Sequence, residues 1–193
     1  MGHAKTLRPA HSGVLARLME TKTVKRNPEP SSTMSKPLFN KLLVALDGSA
    51  SSQRAAQAAL ELAEKLKTDL IVLHAITPPT SYYHSTIASP TGMSLPAPSQ
   101  HEIDAYYAYA RKVAVSIVGE TESKAKKLGI HVKTQIPEAV SSVVETIVNH
   151  AAKENINLIV VGTRGLGGFK KMLLGSVSSG LVSHAPCPVL VVR

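Results

Sequence analysis

The chain has 193 residues, 44% of them apolar and 18% charged, with a formal net charge of +9. That balance excludes wholesale disorder, and the single cysteine, Cys187, excludes an intrachain disulfide framework and a multi-cysteine metal centre. No run approaches the roughly 18 uninterrupted apolar residues of a membrane-spanning helix, and the N-terminus has no apolar core of the secretory-signal kind.

Residues 1–33 carry six cations (Lys5, Arg8, Arg17, Lys22, Lys25 and Arg26) against Glu20 and Glu29, a net +4. Basic, acid-poor and containing Ser and Thr, this stretch reads either as an organelle transit peptide or, with Met34-Ser35-Lys36-Pro37 as a native start, as translated upstream sequence. Residues 1–36 are therefore expected to be a basic extension, extrinsic or disordered, ahead of one domain over 37–193. The remaining +5 is spread over the body without a long basic run, and aromatics are only 4%. A nucleic-acid surface concentrates its charge in a stripe, so this charge reads as a solvated basic surface and argues against a nucleic-acid partner.

The first element is an apolar run, Lys41–Asp47, stopped by Asp47-Gly48-Ser49, which predicts a buried strand and a turn. Ser49 or Ser51 is placed to cap a helix, on which Ala55, Ala59, Leu62 and Leu66 form one apolar face. Asp69–Ala75 is a second buried strand. Residues 77–102 hold five prolines among small polar residues, the composition of a long loop of the lid type, with Tyr82 and Tyr83 expected to pack against the body. A helix is predicted over about 103–128, with Tyr106, Ala110, Val113 and Ile117 on one side and Gly129 ending it.

His131–Ile136 alternates as a strand with one exposed face does. Pro137 is expected to open the next helix, where a missing N–H costs little, and Val140, Val143, Val144, Ile147, Val148 and Ala151 supply its stripe. Leu158–Gly162 is a buried strand, a glycine-rich stretch follows, a short helix is expected over about 175–184, and Val189–Val192 is the last strand. Strands alternating with helices predict an α/β fold, a doubly wound and mostly parallel sheet with helices on both faces.

Ligands of such sheets sit at the carboxyl ends of the strands, where the winding reverses. Two of those ends are chemically unusual. One offers Asp47-Gly48-Ser49; the other offers Gly162-Thr163-Arg164-Gly165, with Gly175-Ser176 opening a helix. Glycines let backbone amides approach an anion without a Cβ in the way, and a helix N-terminus adds aligned dipoles. Arg164, Lys170 and Lys171 stand in the same segment to offset charge. The Walker motif, GxGxxG and GxSxG are all absent, as is any HExxH. His74, in an apolar strand, reads as a core histidine, and Cys187, between two prolines, as buried and inert.

The spacing Gly162-x2-Gly165-x9-Gly175-Ser176 resembles the phosphate-loop signature of ATP-binding universal stress proteins. Leu42–Ser49, Leu73-His74-Ala75 and His184–Val192 resemble the same family in register, over about residues 37–193. The resemblance implies a five-stranded parallel sheet of order 3-2-1-4-5, similar to adenine nucleotide α-hydrolases, so that Asp47 and Gly162 flank one crevice. It implies that Asp47 lies near a ribose and that the Ala75 backbone reads an adenine edge. Gly162, Gly165, Gly175, Ser176 and the Val177 amide would hold the phosphates of ATP, with Mg2+ or Mn2+ held mainly by those phosphates. Gln135-Ile136-Pro137 departs from the Gly-Asp-Pro-like turn of many relatives.

The resemblance further implies a cytoplasmic stress-response regulator with at most slow ATP hydrolysis, and a homodimer joined through the C-terminal edge strand, whose unpaired backbone invites pairing. The alternatives are a nucleotide-free dimeric interaction module, or a nucleotide hydrolase, which would need a base or water-orienting group beyond the loop.

Overall fold

A computed structural model of the protein describes residues 1, 38–79, 98–166 and 173–193. Tyr82, Tyr83, Lys170, Lys171 and the middle of the proline-rich segment lie outside the described residues.

Five strands, β1 (Lys41–Ala45), β2 (Asp69–Leu73), β3 (Val132–Gln135), β4 (Leu158–Gly162) and β5 (Val189–Val192), form one sheet. Its order is β3-β2-β1-β4-β5 and every pairing is parallel. The helices are α1 (Ala50–Leu66), α2 (Gln100–Lys127), α3 (Val143–Lys153) and α4 (Ser176–His184). The order stated for the sheet is therefore the one found, and β1 lies between β2 and β4.

Because strand side chains alternate between faces, the central strands divide their apolar residues between two cores. Leu42, Val44, Leu46, Leu70, Val72, Leu158 and Val160 pack with Ala55, Ala59 and Ala63 of α1 and with Val118 and Ala125 of α2. Leu43, Ala45, Ile71, Leu73, Ile159 and Val161 pack with Ile147 and Ala151 of α3 and Leu181 of α4. At the amino ends of the strands the Asn157 carboxamide oxygen accepts the Asn40 and Lys41 amides, each at 3.0 Å, which ties the start of β1 to that of β4.

Two element boundaries differ from expectation. Pro137 does not open a helix. Ile76 N–H donates to the Pro137 carbonyl and Ala139 N–H donates to Ile76, both at 2.8 Å, which holds 137–139 extended in a parallel bridge. The helix starts six residues later, where Ser142 Oγ accepts the Glu145 amide at 3.0 Å, and Val140 is left 86% exposed. α2 begins slightly earlier than its apolar spacing suggests, because Ser99 and Glu102 form a reciprocal capping box. Its other end is as read: it stops at Leu128, followed by Gly129 at φ +70.

Glu154, at the end of α3, accepts Lys41 Nζ at 2.8 Å, Lys133 Nζ at 2.7 Å and Gln135 Nε2 at 3.0 Å. These bonds, with that to Lys133 the strongest, hold its carboxyl well below the usual carboxylate range, at about 2. A depressed folded-state pKa contributes stability that is complete above the unfolded value and lost as pH falls through the folded one. Urea midpoints of the parent chain and Glu154→Gln should therefore differ near about pH 6, and the gap should shrink below about pH 4.5 and close towards about pH 2. A gap that does not narrow on acidification would mean the network adds nothing through ionisation.

Candidate functional site

The carboxyl ends of β1, β2 and β4 open into a cavity of about 820 Å³. Asp47, Ala75, Gly162, Arg164, Gly165, Gly175, Ser176 and Val177 all line it. Residues drawn from four separate stretches of chain are thus gathered in one place, because β1 and β4 are neighbours and α4 starts beside them.

Asp47 organises the polar end. One carboxylate oxygen accepts the Ser49 amide at 3.0 Å, fixing the turn into α1, and the other accepts the Leu166 amide at 3.2 Å, fixing the glycine loop. Charged acceptors strengthen such bonds, so a single side chain sets the mutual position of the two strand ends. On the other side of the loop the Ser51 hydroxyl donates to the Arg164 carbonyl, and Ser49 Oγ donates to it at 3.3 Å.

The three glycines of the spacing differ in why they are glycine. Gly162 ends β4 against the first turn of α1, and a Cβ there would lie 2.7 Å from the Ser51 carbonyl carbon and 2.8 Å from its oxygen. At Gly165 a Cβ would stand 2.5 Å from Asp47 Oδ2. Gly175 is under no such constraint: its nearest neighbours, Arg164 Cα and Thr163 O, are 3.4 Å away, and its φ of −74 suits any residue. Its amide donates to the Thr163 carbonyl at 2.7 Å, and Ser178 Oγ donates to both the Thr163 and Gly175 carbonyls at 3.0 Å. The loop is thereby closed onto the start of α4. Among the described residues the Gly165, Ser176 and Val177 amides have no acceptor, whereas the Gly175 amide has one.

The rest of the wall is apolar. Ile76, Val143, Ile147 and Val161 line one part, and Tyr106, Tyr109, Ala110, Val113 and Ile117 of α2 line another. Sequence spacing identifies most of that α2 face but not its use. No residue of α2 before Ala114 is buried, and Tyr109 is 69% exposed. The stripe from Tyr106 to Val113 therefore faces the cavity, and Ile117 stands between the cavity and the core. Tyr106 Oη donates to the Thr77 carbonyl at 2.8 Å, and Arg111 pairs with Glu138 at 2.8 Å, tethering this half of α2 to the ends of β2 and β3. A helical apolar face signals burial against something; only the tertiary structure distinguishes a core from a cavity wall.

His74 also lines the cavity, half-buried, with Nδ1 donating to the Leu46 carbonyl at 2.8 Å across the ends of β1 and β2. A carbonyl can only accept, so Nδ1 carries the proton. Cys187 is half-buried rather than fully enclosed, and desolvation raises its thiol pKa above the ordinary value, consistent with an inert side chain. Among the described residues Asp47 is the one carboxylate in the cavity lining, and both its oxygens accept backbone amides.

The model of the universal stress protein family matches residues 38–193. The chain is 37% identical over 156 residues to universal stress protein YxiE of Bacillus subtilis, spanning 81% of this chain and 100% of that protein. Universal stress protein UspA from Lactobacillus plantarum superposes with a TM-score of 0.61 at 26% identity, over 80% of this chain and 98% of that one. An Arabidopsis thaliana protein of the family, with AMP bound, shares the fold at a TM-score of 0.51 and 21% identity, over 79% of this chain and 90% of that one. With the family model covering the whole sheet and its helices, this chain belongs to the universal stress protein family.

Proposed function

We propose that the chain binds an adenine nucleotide, ATP foremost, in the cavity at the carboxyl ends of β1, β2 and β4. The observation that carries this reading is the division of that cavity into an apolar part and a glycine loop with free amides at the start of α4. The AMP bound by the Arabidopsis relative supports it. The base would lie against the apolar wall with its edge on the Ala75 backbone and the ribose near Asp47. The phosphates would meet the Gly165, Ser176 and Val177 amides with Arg164 beside them, and Mg2+ or Mn2+ would be held by the phosphates.

Efficient hydrolysis is not part of the proposal. Both Asp47 oxygens already accept amides, which makes it a positioning group, and phosphoryl transfer needs a group that orients the attacking water. The protein would act as a cytoplasmic stress-response regulator whose nucleotide occupancy alters partner binding. It would be a homodimer joined through the outer edge of β5, with residues 1–36 an appendage to the domain. No helix among the described residues is long and apolar enough to cross a membrane.

The test is calorimetric titration with AMP and ATP, after mass spectrometry of nucleotide released on denaturation. A Cβ at Gly175 would lie 3.6 Å from the Gly165 amide nitrogen without a backbone clash. Gly175→Val, with its fold checked by thermal melt, should cover that amide and lose at least about tenfold in affinity, or about 1.4 kcal/mol. Absence of binding heat for both nucleotides at several temperatures would favour the nucleotide-free dimeric module.

A further inference from the structure

Behind the glycine loop lies a second, smaller pocket of about 400 Å³. It is bounded by the first turn of α1, the loop at 163–165 and the end of β5, and its wall includes Ser49, Ser51, Arg54, Thr163, Arg164 and Arg193. Three arginines from three separate stretches of the chain thus line one concavity. Its described lining contains no aspartate or glutamate. Among the described residues no aspartate or glutamate side chain pairs with any of the three guanidinium groups. Arg54 Nε donates at 2.7 Å to the backbone oxygen of Arg193, the last residue of the sequence, and holds the end of β5 against α1. Among the described residues the two terminal nitrogens of Arg54 have no hydrogen-bond partner.

Like charges gather at a cost unless something offsets them. Here the serine hydroxyls offer no counter-charge: those of Ser49 and Ser51 are turned to the Arg164 carbonyl. The first turn of α1 carries no acidic residue. Guanidinium groups match phosphoryl oxygens with parallel N–H donors. Arg164 and Gly165 line both this pocket and the larger cavity, so one loop has a side on each.

We propose that this pocket is a second anion site, separate from the base and ribose positions, which takes a phosphoryl group between Arg54, Arg164 and Arg193. The group is either the distal phosphate of a nucleotide whose base occupies the larger cavity or a separate phosphate. The proposal stands on the arginine cluster and does not require the nucleotide reading.

Inorganic phosphate is the probe, titrated into the full chain at constant ionic strength while the arginine Nε–H resonances are followed by NMR. Saturable shifts at Arg54 and Arg193 are expected, and Arg54→Gln and Arg193→Gln should each weaken phosphate binding about 3- to 10-fold. Neither residue lines the larger cavity, so AMP affinity should be unchanged in both variants. Arg193→Gln keeps the bond from Arg54 to the backbone, so its melting temperature separates a lost ligand contact from a loosened chain end.

If the site serves the distal end of a nucleotide, both variants weaken ATP but not AMP, and ATP displaces phosphate. If it serves a separate anion, phosphate binds equally to the AMP-loaded and ATP-loaded chain. Shifts that never saturate, or that are the same in both variants as in the parent, would overturn the proposal. Failure of AMP to bind the parent chain would count against the nucleotide reading alone.

Discussion

Gly162→Ala is expected to lower the melting temperature by roughly 6–12 °C, the equivalent of about 3 kcal/mol for a domain of this size. The added methyl would sit 2.7 Å from the Ser51 carbonyl carbon and 2.8 Å from its oxygen. Those are backbone atoms in the first turn of α1, so no rotamer change relieves the contact. Either β4 moves out of register with β1, or α1 moves off the sheet and uncovers Ala55 and Ala59. The variant also tests a distinction within the glycine spacing: a Cβ at Gly162 meets backbone atoms below 3 Å, whereas one at Gly175 comes no closer than 3.4 Å. A thermal melt within about 1 °C of the parent would show that α1 can shift freely, and the packing account of Gly162 would fall.

Asp47→Ala is expected to weaken AMP binding about 10- to 100-fold, the scale of one or two lost charge-assisted hydrogen bonds. The mechanism is indirect as well as direct. Without the carboxylate the Leu166 amide loses its acceptor, and the Gly165 segment is no longer held over the strand end. The turn at Ser49 loses its acceptor too. Asp47→Asn should fall between the two, because its one carboxamide oxygen serves either amide but not both, and its NH₂ faces the other donor. Calorimetry with AMP measures the series. Equal affinity in all three proteins would remove Asp47 from the site.

Several site residues were legible in the sequence because their chemistry is local. Asp47-Gly48-Ser49 ends an apolar run with an acid and a turn, and Gly175-Ser176 precedes a helix. Both patterns announce a strand or helix terminus, where backbone groups lack partners. The misreading at Pro137 has an equally plain cause. Proline is acceptable both at the first turn of a helix and in extended backbone, and the pairing with Ile76, 61 positions earlier, decided between them. Tyr109 was missed because a helical stripe reports only that a face is covered. The arginine pocket was invisible for a similar reason: Arg54, Arg164 and Arg193 stand far apart in the chain, and none belongs to a recognisable run.

By itself, then, the sequence determined the alternation of strands and helices, the parallel α/β class and the glycine spacing, since each follows from periodicity and turn chemistry within short windows. Tertiary structure alone decided which glycines are needed for packing, which amides stay free and which apolar stripe faces a cavity. It also decided that three arginines meet behind the loop. Those properties depend on distances between residues remote in the chain, and such distances come into being only when β1 pairs with β4 and α1 settles on the sheet.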